Sequence, residues 1–212
     1  MNPGYFEILN LHMTTLSESA IASLLQPYLT APPAILPQLS TYLDLLLKWN
    51  ARTNLTAIRQ PEEIVRRHFG ESLFAARHLS SEATNLLDLG SGAGFPGLPI
   101  ALLRPEIEVT LAESQNKKAT FLREVTRVLG LRTEVWSDRA EALPLNRQFH
   151  TVALRAVDNM AVALTIAETR ASKQLLLLSS SGAVPALPSF PDRTQISIPE
   201  SQDRILLLAR RS

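Results

Sequence analysis

The chain has 212 residues, of which 45% are hydrophobic and 19% charged, and its formal net charge is +1. That is length for one α/β domain with a small helical extension, and the balance excludes a disordered polyelectrolyte. It contains no cysteine, which excludes disulfides, thiolate zinc sites and cysteine nucleophiles. Apolar runs such as residues 175–178 are far too short to span a bilayer, and the first residues carry no Lys or Arg to start a signal peptide; the expectation is a cytoplasmic protein with no membrane partner.

Thr15-x-x-Glu18 has the spacing of a capping box, so the dozen residues before it read as a loose leader or an upstream start. Residues 16–29 follow as an amphipathic helix with Ile21, Leu24, Leu25 and Tyr28 on one face. After a breaker at residues 30–33, residues 37–50 give a second helix whose apolar face is Leu39, Tyr42, Leu43, Leu46 and Trp49. Residues 52–60 look irregular. Pro61-Glu62-Glu63 opens a third helix, with acids at the positive end of the dipole and Ile64, His68, Phe69, Leu73 and Ala76 inward. Residues 1–80 are thus expected to be a helical extension packed on the core, and 81–212 a second unit of different pattern.

From residue 85 the period changes. Short apolar runs at residues 85–89, 109–112, 133–137, 150–154 and 175–179 read as strands. Residues 97–103 and 116–129 read as helices, the latter stopped by Gly130. Strands alternating with helices imply an α/β fold with a mostly parallel sheet. Residues 195–198 and 205–209 flank a polar turn and predict a final hairpin that adds an antiparallel strand at one edge.

Asp88-Leu89-Gly90-Ser91-Gly92-Ala93-Gly94 lies where the first strand gives way to a helix. Glycines there let the backbone turn sharply and approach a ligand, and the helix N-terminus offers unpaired N–H groups. Glu113 ends the next strand, where a carboxylate can accept hydrogen bonds from ribose hydroxyls. Gly92-Ala93-Gly94-Phe95-Pro96-Gly97 also fits the G-x-G-x-x-G dinucleotide pattern. That alignment leaves Gly90 and Ser91 as surplus turn residues and puts Pro96 where helix backbone should pack. The acidic-x-Gly-x-Gly-x-Gly reading uses Asp88, Gly90, Gly92 and Gly94, and favours S-adenosylmethionine, which needs no pyrophosphate cradle. Asp138-Arg139-Ala140-Glu141 follows the third strand, where this fold borders the adenine, although a plain surface loop is an equal reading. Arg155 closes the fourth strand at the ligand-binding edge, with a structural ion pair as its rival role. There is no Asn/Asp-Pro-Pro-aromatic motif for amino-directed methylation, no cysteine for attack on a pyrimidine ring and no metal-ligand spacing.

Lys48-Trp49-Asn50, Asn54-Leu55-Thr56, Pro61-Glu62-Glu63, Arg67-His68-Phe69 and Glu71-Ser72-Leu73 together resemble the RsmG family, also called glucose-inhibited division protein B. The glycine loop through Gly97, Lys117-Lys118, Phe121-Leu122-Arg123-Glu124, Arg139-Ala140-Glu141 and Arg155-Ala156-Val157 extend the resemblance to residue 157. The resemblance implies a bacterial enzyme of Rossmann-like methyltransferase fold, with a seven-stranded sheet, that methylates N7 of a guanine in 16S ribosomal RNA. It implies that Gly90, Phe95, Ala140, Glu141 and Arg155 contact the cofactor, that Glu113 holds its ribose, and that His68 and Ser72 lie near the cofactor mouth. The sequence departs from the family pattern at Glu71 and Glu113, usually Asp, and at Gly70, usually a larger apolar residue. It departs again after the fifth strand, where Ser179-Ser180-Ser181-Gly182-Ala183 replaces a Gly-rich turn and a Lys.

No side chain is assigned as catalytic, because guanine N7 is a lone-pair nucleophile with no proton to lose. The expected partner is ribosomal RNA or the small ribosomal subunit, met by a monomer without a metal. Net charge gives little attraction, so RNA would have to use a local patch: residues 48–78 hold Lys48, Arg52, Arg59, Arg66, Arg67 and Arg77 against Glu62, Glu63 and Glu71. A solvated helix face is the plain alternative. The rival functions are a non-catalytic RNA- or ribosome-binding module and a nicotinamide-dependent oxidoreductase.

Overall fold

The computed structural model describes residues 15–157, 159–182 and 186–211. The helical extension starts with α1 (Glu18–Leu25), capped by Ser17, whose hydroxyl accepts the Ala20 N–H at 3.2 Å. This corrects the expected cap at Thr15: the Thr15 N–H instead reaches across to the Asp44 carboxylate, 3.0 Å away. A single 3-10 turn leads into α2 (Leu36–Asn50). The third helical stretch is not continuous as expected. It runs as α3 (Pro61–Ile64), a π-helical turn over Val65–Gly70, and α4 (Glu71–Arg77). The wide turn goes with a large neighbour. A Cβ on Gly70 would lie 2.6 Å from the Tyr28 ring, so the residue departs from its larger family counterpart because Tyr28 takes that space.

The remaining elements are β1 (Asn85–Leu89), α5 (Gly97–Leu103), β2 (Glu108–Ala112), α6 (Asn116–Val128), β3 (Glu134–Trp136), β4 (Phe149–Arg155), α7 (Met160–Arg170), β5 (Ala171–Ser180), β6 (Asp192–Ser197) and β7 (Arg204–Arg210). They form one seven-stranded sheet in the order β3-β2-β1-β4-β5-β7-β6. β1 to β5 are parallel, and β7 pairs antiparallel with both β5 and β6.

The expected final hairpin adds its antiparallel pairing at the β5 side of the sheet, with β7 against β5 and β6 at the outer edge. The residues explain the choice. Ile205-Leu206-Leu207-Leu208-Ala209 is apolar on both faces and fully buried, while β6 is polar and almost wholly exposed.

Alternation divides the core into two layers. Leu176 and Leu178 of β5, Leu206 and Leu208 of β7 and Leu111 of β2 face α5, α6 and the N-terminal helices. Leu175, Leu177, Leu207 and Leu154 face α7. Ile21, Leu39, Leu43 and Phe69 join the first of these clusters, so the N-terminal helices share a continuous core with the sheet.

Candidate functional site

The carboxyl ends of β1 to β4 open on one cleft of about 420 Å³. Gly90 of the glycine loop forms part of its floor, while Gly92 and Gly94 lie outside its lining. Gly90 and Ser91 both donate their N–H groups to the Ala112 carbonyl at the end of β2, 3.0 Å each. Gly90, Gly92 and Gly94 have φ of +73°, +56° and +93°, the left-handed backbone that the alternate glycines permit. From the other side, the Tyr42 hydroxyl of α2 donates to the Ala93 carbonyl at 2.5 Å.

Glu113 ties this loop to the next one. Its Oε2 accepts the Gly92 N–H at 3.0 Å and its Oε1 accepts the Gln115 N–H at 2.8 Å. Each oxygen keeps a further lone pair for a ligand hydroxyl. Gly90, Glu113, Ala140 and Glu141 lie in the cleft wall, together with Asp138 and Arg139. Lys118, of the basic pair on α6, lines the same cleft, as do Asn159 and Val162, which sequence reasoning missed. Val162 is an apolar side chain 48% exposed there. The signal that could have found Asn159 is local: it caps α7, its Oδ1 accepting the Val162 N–H at 3.2 Å.

Other expected site residues sit behind the cleft wall. Phe95 is buried between the loop and the helical layer, 5.3 Å from the Tyr42 ring and 4.7 Å from the His68 ring, both nearly parallel to it. The Arg155 guanidinium lies 5.9 Å from the same ring. Its Nη2 donates to the Arg67 carbonyl at 2.8 Å and to Glu71 at 3.1 Å, which is the ion pair its sequence position allowed. His68 makes a 2.7 Å hydrogen bond with Thr56, and Ser72 donates to the His68 carbonyl at 2.6 Å. The Asn50-x-x-x-Asn54-Leu55-Thr56 motif has a mechanical meaning. Asn50 Oδ1 accepts the N–H groups of Leu55 and Thr56, and its amide donates to the Thr56 carbonyl.

Asp88, His68 and Tyr42 are strongly shifted by burial next to the loop, Tyr42 upward. Asp88 is fully buried; its Oδ2 accepts the Gly97 N–H at the start of α5, and Oδ1 has no partner among the described residues. Burial pushes its carboxyl up to about 7, with the Gly97 bond opposing. Between its ordinary value and 7 the folded chain therefore keeps a proton that the unfolded chain has released, and stability from this group is lost as pH rises through that window. His68 runs the other way. Burial, helped by Arg155, holds its imidazole neutral well below the usual range, so its contribution is lost as pH falls below the unfolded value. Asp88→Asn is expected to gain on the wild type as pH rises from about 4 to 7 and to level off above. Urea unfolding at a series of pH values checks this; a constant difference would mean Asp88 is ionised throughout.

The GidB family model, described as rRNA small subunit methyltransferase G, matches residues 35–187. A ribosomal RNA small subunit methyltransferase G from Xylella fastidiosa (strain M23) is 44% identical over 148 residues, 69% of this chain and 69% of that protein. One from Chromobacterium violaceum is 45% identical over 124 residues, 58% of this chain and 59% of that protein. Among solved structures, a putative O-methyltransferase from Klebsiella pneumoniae superposes with a TM-score of 0.58 at 15% identity, covering 81% of this chain and 90% of that one. TYW2 of P. horikoshii in complex with MeSAdo gives 0.52 at 15% identity, covering 68% and 62%. At such identities the structures speak for the fold alone.

Proposed function

Because the chain belongs to the GidB family, rRNA small subunit methyltransferase G, we propose that it methylates N7 of a guanine in small-subunit ribosomal RNA, with S-adenosylmethionine as cofactor. The observation that carries this is the cleft itself. It combines a glycine floor that admits a ligand, a carboxylate at the end of β2 for ribose hydroxyls and an uncovered apolar wall at Val162 for a flat base. Gly90, Glu113, Ala140 and Glu141 would hold the cofactor; Phe95 and Arg155 support the loop from behind. When bound, the cofactor supplies an electrophilic sulfonium methyl group.

The chain's own task is then to align the base and exclude water, and proximity provides most of the rate. Guanine N7 loses no proton on methylation, so no general base is required. His68 fits that reading, since its Nε2 is engaged by Thr56 and its Nδ1 is sealed from solvent. Alanine at His68, Glu71 or Glu141 is expected to alter binding or stability without removing an acid limb from the single-turnover rate at saturation. An acid limb abolished by one of these changes would identify a proton-transfer residue and sink the proposal.

RNA phosphates need exposed cations. Arg59 and Arg77 are exposed but engaged, Arg59 with Asn50 and Asn54 and Arg77 with the Tyr28 carbonyl. Lys48 and Arg52 are exposed too, as are Lys117 and Arg123 on α6. The direct experiment incubates small-subunit RNA and subunits from a strain lacking the modification with methyl-labelled cofactor. Label on guanine N7 is expected. Cofactor binding with no transfer would leave an RNA-binding module, and tight nicotinamide binding in its place would leave an oxidoreductase.

A further inference from the structure

The part of the cleft wall that follows β3 has little apolar burial to hold it. Of residues 138–147 only Ala140 and Leu143 are buried, and Leu145 is 89% exposed. One 3-10 turn, Ala140–Ala142, is its regular structure. Apolar packing therefore gives this segment few anchors, and its main-chain carbonyls need donors. Trp136 serves its start, where Nε1 donates to the Arg139 carbonyl at 3.1 Å. Arg170 serves the stretch beyond. Its Nη2 donates to the carbonyls of Leu143 at 2.7 Å and Glu141 at 3.4 Å, and its Nη1 to those of Pro144 at 2.6 Å and Arg147 at 3.3 Å.

Arg170 closes α7 and is 5% exposed. None of these four partners is a carboxylate. The buried guanidinium is instead held by carbonyl dipoles, helped by the negative end of its own helix. A planar fork suits that task, because its two arms present donors in fixed directions to several carbonyls at once. The same helix lends Val162, Ala163 and Ile166 to the cleft, and Ile166 stands one turn before Arg170. One helix thus supplies part of the cleft wall and fastens the part that carries Ala140 and Glu141.

We propose that Arg170 is a positioning residue: by clamping residues 141–147 to α7 it fixes Ala140 and Glu141 at the spacing with which the cleft grips the adenosine end of the cofactor. This rests on the cofactor site proposed above. Arg170 is absent from the cleft lining, so it acts through the segment it holds. The clamp therefore governs how tightly the adenosine end is bound, and not the rate once the cofactor is in place.

Arg170→Met removes the donors and keeps much of the length. By calorimetry, S-adenosylmethionine and adenosine alone should both bind at least about tenfold more weakly. Hydrogen exchange should quicken at the amides of residues 140–147. In methyl transfer to small-subunit RNA, KM for the cofactor should rise by a similar factor while kcat stays near wild type. Arg170→Lys keeps the charge and loses the fork, and should fall between Arg170→Met and the wild type. A brace for the fold alone predicts a lower melting temperature in Arg170→Met with both affinities unchanged. That result overturns the proposal, as does a fall in kcat at unchanged KM. If Arg170→Met does not fold, Arg170→Lys decides, and adenosine affinity equal to wild type overturns the proposal. The wild type tests the cofactor site by itself. No binding there ends both readings, whereas unchanged affinity in the variants ends the clamp alone.

Discussion

Replacing Gly94 by alanine is expected to abolish cofactor binding and to destabilise the fold by about 2–5 kcal/mol. Gly94 sits at φ +93°, and an added Cβ would lie 2.6 Å from the Tyr42 hydroxyl and closer still to Leu98. Tyr42 cannot easily withdraw, because it is fully buried and its hydroxyl is bonded to the Ala93 carbonyl. The clash therefore falls on the contact between α2 and the glycine loop. Gly92 supplies the comparison. It is also left-handed, at φ +56°, but a Cβ there would meet only the Gly90 carbonyl at 3.9 Å. Gly92→Ala should lose only about 1–2 kcal/mol, from backbone strain, and keep the domain folded. Thermal melts of the two variants with and without cofactor check this. Equal destabilisation would show that the loop shifts away from Tyr42 without resistance.

Glu113→Ala should weaken cofactor affinity by about 1.5–3 kcal/mol, the usual loss for a hydrogen bond to a charged group. The side chain has two tasks, and the substitution removes both. On the proposed reading it offers acceptors to the ribose, and it ties the Gly92 and Gln115 N–H groups at 3.0 and 2.8 Å. Glu113→Gln retains one carbonyl oxygen and should fall between the two. Calorimetry gives the affinity directly. An unchanged value for Glu113→Ala would leave Glu113 as a tie between two loops, with the ribose held elsewhere.

Much of the sheet is legible in the residues. β1 and α5 occupy the expected positions because a strand, a glycine turn and a helix follow one another with no competing pattern. α7 was not expected. Its sequence, Met160-Ala161-Val162-Ala163-Leu164, is apolar on both sides of the helix; Ala161 and Val162 are exposed while Ala163 and Leu164 are buried, so no helical period shows. Asn159 and Val162 were lost to the cleft with it. The glycine loop and the placing of Glu113 at the end of β2 were readable because each is set by a short local pattern. The pairing of Glu71 with Arg155 and Arg204 was not, since these arginines lie 84 and 133 residues away along the chain and only the sheet order brings them together. Charge patterning could not separate the arginines either. Arg59, Arg66, Arg67 and Arg77 look alike in sequence, yet Arg59 and Arg77 donate to backbone carbonyls while Arg66 and Arg67 pair with exposed carboxylates.

The placing of β7 between β5 and β6 makes the order of manufacture matter. An internal strand, next to the edge, comes from residues 204–210, after its two neighbours have already been made. A chain cut at Pro199 would retain β5 with its Leu175 to Leu178 edge unpaired, and β6 with nothing beside it. An open apolar edge of that length invites pairing with another copy. Premature stops or trimming in this short terminal stretch should therefore yield aggregates rather than a slightly shortened, soluble protein.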